Sequence, residues 1–132
     1  MTVINVLIVD DELSVRIMLQ DMLDDEGYRV LQAEDGVQAL QYCKEVNVDI
    51  VITDLVMPRK NGLDLMLALK EHYPFTKIIA ISGGGGIQGQ FEYLPIARLI
   101  GAHSIIEKPF TTQQIQMAVE SALSDEVKQV KF

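Results

Sequence analysis

Three carboxylates, one hydroxyl and one ammonium group carry the chemistry that this sequence suggests. Asp10 and Asp11 are adjacent and follow an apolar run directly, and Asp54 closes another such run. Ser82 and Lys108 follow two further runs rich in isoleucine. Open α/β sheets keep their reactive groups at the carboxyl ends of parallel strands. If these runs are parallel strands, all five side chains meet at one edge of a sheet.

Carboxylates that crowd together repel one another, and their pKa values rise unless a positive charge compensates. A hard divalent cation relieves this repulsion, and Mg²⁺ favours a few carboxylates together with waters and phosphate oxygens. Lys108 adds a fixed positive charge, and Ser82 adds a hydroxyl donor. The group therefore predicts a Mg²⁺-assisted site for a dianionic phosphoryl group on Asp54.

The elements that would position these residues alternate along the chain. Short β-branched runs predict five buried strands, because such runs are typical of strands covered on both faces. The predicted strands are residues 3–9, 28–33, 50–54, 77–81 and 104–107. Apolar residues at helical spacing predict five helices. The predicted helices are residues 15–26, 36–46, 63–72, 93–100 and 112–123.

Several residues receive specific positions in these helices. Met18 is expected on the buried stripe of the first helix, and Val37 and Cys43 on that of the second. Gly27 is expected to end the first helix. Pro95 is expected in the first turn of the fourth helix, because a proline deeper in a helix breaks the hydrogen-bond ladder.

Alternating strands and helices predict an α/β fold, a doubly wound five-stranded parallel sheet. The expected strand order is 2-1-3-4-5, the flavodoxin-like (βα)5 arrangement. At 132 residues the chain is expected to form one domain.

Composition excludes several classes of function. A net charge of −8 disfavours direct binding to nucleic acid or to an anionic membrane. No stretch is long and apolar enough to be a membrane span, and the apolar start of the chain is too short for a signal peptide. The single cysteine, Cys43, excludes an internal disulfide and suits a reducing compartment. The sequence therefore predicts a cytoplasmic protein.

Four motifs together resemble a known family. Paired acids follow the first strand, Asp-x-x-Met-Pro-x-x-x-Gly follows the third, serine follows the fourth, and Lys-Pro-Phe follows the fifth. This combination resembles the receiver domain of bacterial two-component response regulators, including the chemotaxis receiver. The resemblance predicts a receiver domain over residues 1–124. Residues 125–132 would be a tail or an extension of the last helix.

The resemblance implies a ligand set for Mg²⁺ and a phospho-acceptor. Asp54 matches the family's phospho-acceptor, which is also a metal ligand. Asp10 and Asp11 match the acidic pair that binds the metal. The backbone carbonyl of Val56 matches the remaining protein ligand.

The implied reaction is phosphoryl transfer from a partner histidine kinase or phosphotransfer protein. The carboxylate of Asp54 attacks a phosphohistidine and becomes an acyl phosphate. Ser82 and Lys108 match the hydroxyl and the lysine that contact the phosphoryl group. Such a chain is a signalling phospho-acceptor and not an enzyme with a separate substrate, since it catalyses only its own phosphorylation and dephosphorylation.

The resemblance also implies an output surface, formed by the fourth helix, the fifth strand and the fifth helix. This surface would contact a downstream output protein or domain, or a second copy in a homodimer. Ile105 stands three residues before the lysine, where receivers often have an aromatic residue. The mobile element is therefore expected to be the glycine-rich loop, residues 83–89, together with the start of the fourth helix.

Three alternative hypotheses compete with the interpretation as a phosphorylatable receiver. A pseudo-receiver would bind its partner without phosphorylation, which the retained acids and lysine argue against. A flavin carrier needs a phosphate loop after the first strand, where Asp10 and Asp11 would repel the flavin phosphate. A phosphatase with an aspartyl nucleophile commonly has a second acid two residues later, where this chain has Val56.

Overall fold

The structure, a computed structural model, describes residues 3–55, 62–83 and 90–130, with side chains for all of these except 90–94 and 125–130. Five strands alternate with five α-helices. The strands are Asn5–Val9 (β1), Arg29–Ala33 (β2), Ile50–Asp54 (β3), Lys77–Ser82 (β4) and Ser104–Glu107 (β5). The helices are Leu13–Leu23 (α1), Gly36–Glu45 (α2), Gly62–His72 (α3), Gln90–Ile100 (α4) and Thr112–Val130 (α5).

All neighbouring strands pair in parallel, and their order is β2-β1-β3-β4-β5. The predicted doubly wound sheet and its strand order are thereby confirmed. β3 lies at the centre, and each of its five residues is buried. Because every strand points the same way, all carboxyl ends lie at one rim of the sheet and all amino ends at the opposite rim.

Each face of the sheet has its own apolar core. One core joins the sheet to α2, α3 and α4, and its members include Leu7, Val51, Leu69, Ile78 and Ala97. The other joins the sheet to α1 and α5, and its members include Ile8, Leu19, Ile52, Ile79 and Val119. Successive side chains of a strand point to opposite faces, so one β-branched run supplies both cores.

Local capping interactions set the starts of two helices. The Asp35 carboxylate accepts a hydrogen bond from the Gln38 backbone N–H at 2.8 Å and caps α2. Before α5, the Thr111 hydroxyl accepts from the Gln114 backbone N–H at 3.1 Å. The Gln114 side chain accepts from the Thr111 backbone N–H at 2.8 Å in return. This reciprocal pair is a capping box, which satisfies two donors that a helix start leaves unpaired.

Four predicted positions differ from the structure. Met18 and Val37 are 40% and 57% exposed, so neither joins a core. Gly27 has a φ of 79° as expected, but it ends a 3-10 turn, Asp24–Glu26, that follows α1. Pro95 is the sixth residue of α4 and not part of its first turn. It therefore removes one hydrogen-bond donor from inside the helix.

No helix among the described residues combines the length and the apolar character that crossing a membrane requires.

Candidate functional site

The acidic pair lies in the turn between β1 and α1. The Asp10 N–H donates to the Ala33 carbonyl at 3.1 Å, which extends the pairing of β1 with β2 by one residue. One carboxylate oxygen of Asp10, Oδ1, accepts from the Glu12 N–H at 2.9 Å. Asp10 is 1% exposed, whereas Asp11 is exposed at the rim. The turn thus presents one buried and one open carboxylate.

Burial raises the pKa of Asp10 from 3.8 to about 6. Burial is the largest cause of this rise, and the charges of Asp54 and Asp11 contribute to it, while the Glu12 N–H and the Lys108 ammonium oppose it. Such a carboxyl is costly to ionise in the folded protein unless another positive charge is present.

Asp54 is the last residue of β3 and is 7% exposed. The Thr53 hydroxyl donates to the Asp54 backbone carbonyl at 2.9 Å. The next residue, Leu55, donates its N–H to the Ile81 carbonyl on β4 at 3.0 Å. These bonds fix the backbone at the strand end, so the Asp54 carboxylate leaves the sheet in a defined direction.

Gly62, the first residue of α3, lies against this strand end. Its N–H donates to the Leu55 carbonyl at 3.0 Å. A Cβ added to Gly62 would lie 2.3 Å from the Asp54 carbonyl oxygen and 2.6 Å from the Leu55 Cα. Both neighbours are backbone atoms that cannot move aside cheaply. Only glycine therefore fits where α3 approaches Asp54.

Lys108 reaches the site from the end of β5. Its N–H donates to the Ser82 carbonyl at 2.9 Å, which holds the start of the Lys-Pro-Phe segment against β4. Its Nζ lies 3.4 Å from Oδ2 of Asp54 and 3.8 Å from Oδ2 of Asp10. Ser82 ends β4 beside β3 and is 3% exposed. One ammonium group thus faces two buried carboxylates.

The three carboxylates can serve one cation together. Asp10, Asp11 and Asp54 each offer an oxygen, and these oxygens lie within 4.8 Å of one another. Oδ2 of Asp10 is buried and has no hydrogen bond to the described residues. Hard oxygen donors with one such unsatisfied oxygen fit Mg²⁺, which binds to a few carboxylates and fills its remaining positions with water.

Comparison with known proteins identifies the family of this chain. The family described as the response regulator receiver domain matches residues 6–120, which is most of the chain. The chain belongs to the response regulator receiver domain family. It is therefore a signalling domain of the two-component type, as the motifs predicted.

Several relatives and solved structures are similar to this chain. An NtrX-like response regulator of Rickettsia bellii is 34% identical over 124 residues, covering 92% of this chain and 25% of that protein. The sporulation initiation phosphotransferase F of Bacillus subtilis is 29% identical over 118 residues, covering 89% of this chain and 92% of that protein. The crystal structure of NtrX from Brucella abortus superposes with a TM-score of 0.88 at 29% identity, covering 98% of this chain and 29% of that one. The receiver thus spans about a quarter of the NtrX-like relatives.

The structure brings together most of the residues that the sequence singled out. Asp10, Asp11, Asp54 and Lys108 lie side by side at the carboxyl rim. Ser82 lies at the same rim, at the end of the neighbouring strand. The predicted metal ligand Val56 lies outside the described residues, as do residues 84–89 of the glycine-rich loop.

Sequence reasoning missed two residues that touch this site. Gly62 entered only as a turn signal and as the last position of the Asp-x-x-Met-Pro-x-x-x-Gly motif, and no close contact with Asp54 was predicted for it, although its distance of eight positions from Asp54 could have suggested a close return of the chain. Arg16 was not considered, yet its guanidinium reaches the backbone of Asp10. An arginine on the helix that directly follows an acidic pair is the signal that could have revealed it.

Proposed function

We propose that this receiver is a phosphorylatable switch in which Asp54 accepts a phosphoryl group from the phosphohistidine of a partner histidine kinase or phosphotransfer protein. The observation that carries the proposal is the contact of Asp54 with Lys108 at 3.4 Å beside two further carboxylates. A simple ion pair with Lys108 needs only one acid. Three acids near one lysine leave excess negative charge, which a bound cation would balance.

The proposed step is a transfer between two nucleophiles. A carboxylate oxygen of Asp54 forms a bond to phosphorus while the P–N bond to the imidazole breaks, and the imidazole leaves with its electron pair and takes up a proton. Lys108 offers an ammonium group to the transferring oxygens. The Ser82 hydroxyl, from the adjacent strand end, is assigned to hold one of those oxygens. Catalysis of this kind rests on positioning and charge stabilisation and needs little covalent chemistry from the protein.

Asp10, Asp11 and Asp54 are the proposed side-chain ligands of Mg²⁺, and the backbone carbonyl of Val56 is the proposed fourth protein ligand. Bound Mg²⁺ supplies positive charge to the phosphoryl oxygens. The buried Oδ2 of Asp10 supports this assignment, because a buried carboxylate oxygen without a hydrogen bond is expensive unless a cation satisfies it.

The kinase must bring its phosphohistidine to the carboxyl rim, so its docking surface must adjoin that rim. Helix α1 begins directly after the acidic pair and exposes three apolar side chains, Leu13, Ile17 and Met18. Exposed apolar clusters of this kind mark protein interaction surfaces. We assign kinase docking to this side of α1.

The output surface is assigned to α4, β5 and α5. Leu99 and Met117 are 86% and 60% exposed on these two helices, and Ile96 is also exposed. A downstream protein or domain, or a second copy in a homodimer, would cover them. Ile105 is partly buried on β5 against the α3 and α4 side of the sheet, where an aromatic residue is common in the family.

The receiver unit is proposed to end near residue 124, with residues 125–132 as a continuation of α5 or a tail. The helical backbone of α5 up to Val130 supports a continuation. The cytoplasm is the proposed location, since a histidine kinase must reach Asp54.

The test is intact mass measurement after incubation with Mg²⁺ and acetyl phosphate. The wild-type chain is expected to gain one phosphoryl group, and Asp54→Asn is expected to gain none. Asp49→Asn is the matched control, because Asp49 lies at the opposite rim of the same strand and its carboxylate accepts a hydrogen bond from the Asn5 N–H.

Two results would contradict the proposal. Phosphorylation of Asp54→Asn to the wild-type extent would place the acceptor elsewhere. No phosphorylation of the wild type by acetyl phosphate or by any phosphorylated kinase would leave the pseudo-receiver as the better description. Beryllofluoride, added with Mg²⁺, provides a second readout, because it should bind the wild type and not Asp54→Asn.

A further inference from the structure

Arg16 links the first helix to the turn that holds the acidic pair. It lies one turn into α1 and is half-buried. Its Nη1 donates to the backbone carbonyl of Asp10 at 2.8 Å. Its Nε donates to the side-chain oxygen of Gln32 on β2 at 3.2 Å. One guanidinium therefore bridges the end of β1, the neighbouring strand and the helix between them.

The carbonyl that Arg16 holds belongs to the peptide joining Asp10 to Asp11. Asp10 lies one residue beyond β1, so this carbonyl is outside the ladder that pairs β1 with β2 and β3. The orientation of that peptide determines where the Asp11 side chain starts. Asp11 itself is exposed, so packing contributes little to fixing it. A hydrogen bond to this carbonyl is thus a direct control on the direction of the Asp11 carboxylate.

A second hydrogen bond holds the guanidinium in place. Gln32 accepts from Arg16, and its amide nitrogen donates to the side-chain oxygen of Gln20, one turn further along α1. Gln32 pairs with Ile8 in the sheet register, two residues before Asp10. The three side chains form a chain of hydrogen bonds across the groove between α1 and β2. Gln20 stands at one end of this chain of hydrogen bonds, and the Asp10 carbonyl stands at the other.

We propose that Arg16 is a positioning residue for the cation site, acting through the Asp10–Asp11 peptide and supported by Gln32. The inference rests on the proposed function in one respect, that Mg²⁺ is the cation bound by the acids. Residues that orient metal ligands from outside commonly change metal affinity 10- to 100-fold when they are replaced.

A charge effect is the competing explanation, because any cation near three carboxylates alters their affinity for metal. The two explanations predict different results for Arg16→Lys. A lysine keeps the charge but lacks the planar fork that donates to two acceptors in fixed directions. A positioning role therefore predicts that Arg16→Lys weakens Mg²⁺ binding nearly as much as Arg16→Met does. A charge effect predicts that Arg16→Lys behaves like the wild type.

The experiment titrates Mg²⁺ into the full chain by NMR, without a phosphodonor. Arg16→Met and Arg16→Lys are both expected to weaken Mg²⁺ binding about tenfold, and Gln32→Met less than that. The matched control is Arg29→Met, which removes an exposed arginine from the amino end of β2, the strand that contains Gln32. This variant should leave the Mg²⁺ affinity unchanged. Acetyl phosphate assays should show that saturating Mg²⁺ restores the phosphorylation rate of the Arg16 variants, because only cation binding is impaired.

A second readout separates this inference from the proposed function. In metal-free protein, the NMR order parameter of the Asp11 amide should fall in both Arg16 variants and stay at the wild-type value in Arg29→Met. Wild-type Mg²⁺ affinity or an unchanged Asp11 order parameter in Arg16→Lys would overturn the positioning role. If the wild type binds no Mg²⁺ at millimolar concentrations, the proposed function fails, and the Asp11 order parameter still decides whether Arg16 orders the peptide.

Discussion

The two rims of the sheet both place carboxylates beside strand ends, yet they treat them differently. At the amino rim, the Asp49 carboxylate accepts from the Asn5 N–H at 2.8 Å, and the Asn5 side chain donates to the Asn47 carbonyl at 2.8 Å. At the carboxyl rim, Oδ2 of Asp10 is buried without a hydrogen bond to the described residues, and the pKa of Asp10 is raised to about 6.

The two rims differ in how completely hydrogen bonds satisfy their carboxylate oxygens, and not in the type of residue. At the amino rim a backbone donor meets the carboxylate, which ties β1 to the start of β3. Asn5 Oδ1 is also buried without a hydrogen bond there, but it is a neutral amide oxygen and costs far less than a charged one. At the carboxyl rim, Oδ1 of Asp10 also accepts from a backbone N–H, that of Glu12, but Oδ2 has only the Lys108 ammonium at 3.8 Å and is available to a bound cation. A buried ionisable group whose pKa is shifted by burial and by like charges is typical of functional sites.

The largest difference in stability is expected when a methyl group is added to one glycine near each rim. Gly62→Ala places a Cβ within 2.3 Å of the Asp54 carbonyl and should lower the free energy of unfolding by about 3 kcal/mol. It should also reduce phosphorylation, because the strain falls on Asp54. Gly27→Ala, near the amino rim, meets no atom within 4 Å and pays only for a φ of 79°, about 1 kcal/mol. Urea unfolding and acetyl phosphate assays check both, and equal losses would refute the steric argument.

Replacing one carboxylate at each rim should change stability in opposite directions. In EDTA at pH 7, Asp10→Asn is expected to raise the free energy of unfolding by roughly 2 kcal/mol, because it removes a buried charge. Asp49→Asn should lower it by up to about 1 kcal/mol, because the hydrogen bond to Asn5 loses its charged acceptor. Saturating Mg²⁺ should reverse the sign for Asp10→Asn only, since ligand binding stabilises the wild type. A destabilised Asp10→Asn in EDTA would show that the two rims do not differ as argued.

Lowering the pH should remove part of the difference in the free energy of unfolding between the wild type and Asp10→Asn. The pKa of Asp10 is raised in the folded state, so the stability linked to its protonation is complete below about 3.8 and is lost as the pH rises through about 6. In EDTA, lowering the pH from 7 to 5 should therefore stabilise the wild type relative to Asp10→Asn by roughly 1.5 kcal/mol. Thermal unfolding of both proteins at a series of pH values measures this. A constant difference across that range would mean that Asp10 titrates elsewhere.

The smallest effect is expected from two buried threonines. The Thr53 hydroxyl donates to the Asp54 carbonyl at 2.9 Å, and the Thr76 hydroxyl donates to the Val48 carbonyl at 2.8 Å at the amino rim. Thr53→Val and Thr76→Val should each lower the free energy of unfolding by about 1 kcal/mol. Only Thr53→Val should also change the phosphorylation rate. An equal change in rate for Thr76→Val would mean that the amino rim contributes to the site.

Much of this architecture is predictable because strands and helices each impose a characteristic spacing of apolar residues along the sequence. The β-branched runs predicted β3 and β5 at the bounds that the structure has. For β3, which is buried along its whole length, the run is apolar at consecutive positions because both faces of the strand are covered. Placing Asp54 and Lys108 at one rim required only that the strands be parallel. The motifs then predicted the receiver family, which the family comparison confirmed.

Other features depend on distances between segments that are far apart in sequence, and no pattern along the chain records those distances. Met18 and Leu19 look alike as apolar helix residues, yet only Leu19 is buried, because the rotation of α1 against β1 and α5 decides which side chain faces the core. Asp49 and Asp10 look alike as acids beside strands. Asp49 accepts from a backbone donor 44 positions away, Asn5, whereas Asp10 accepts from the nearby Glu12 N–H through Oδ1 and keeps a buried Oδ2 without a hydrogen bond to the described residues. The sequence by itself determined which residues reach the strand ends. Tertiary packing alone decided which of their charges remain unsatisfied and which neighbours, such as Arg16, hold them in place.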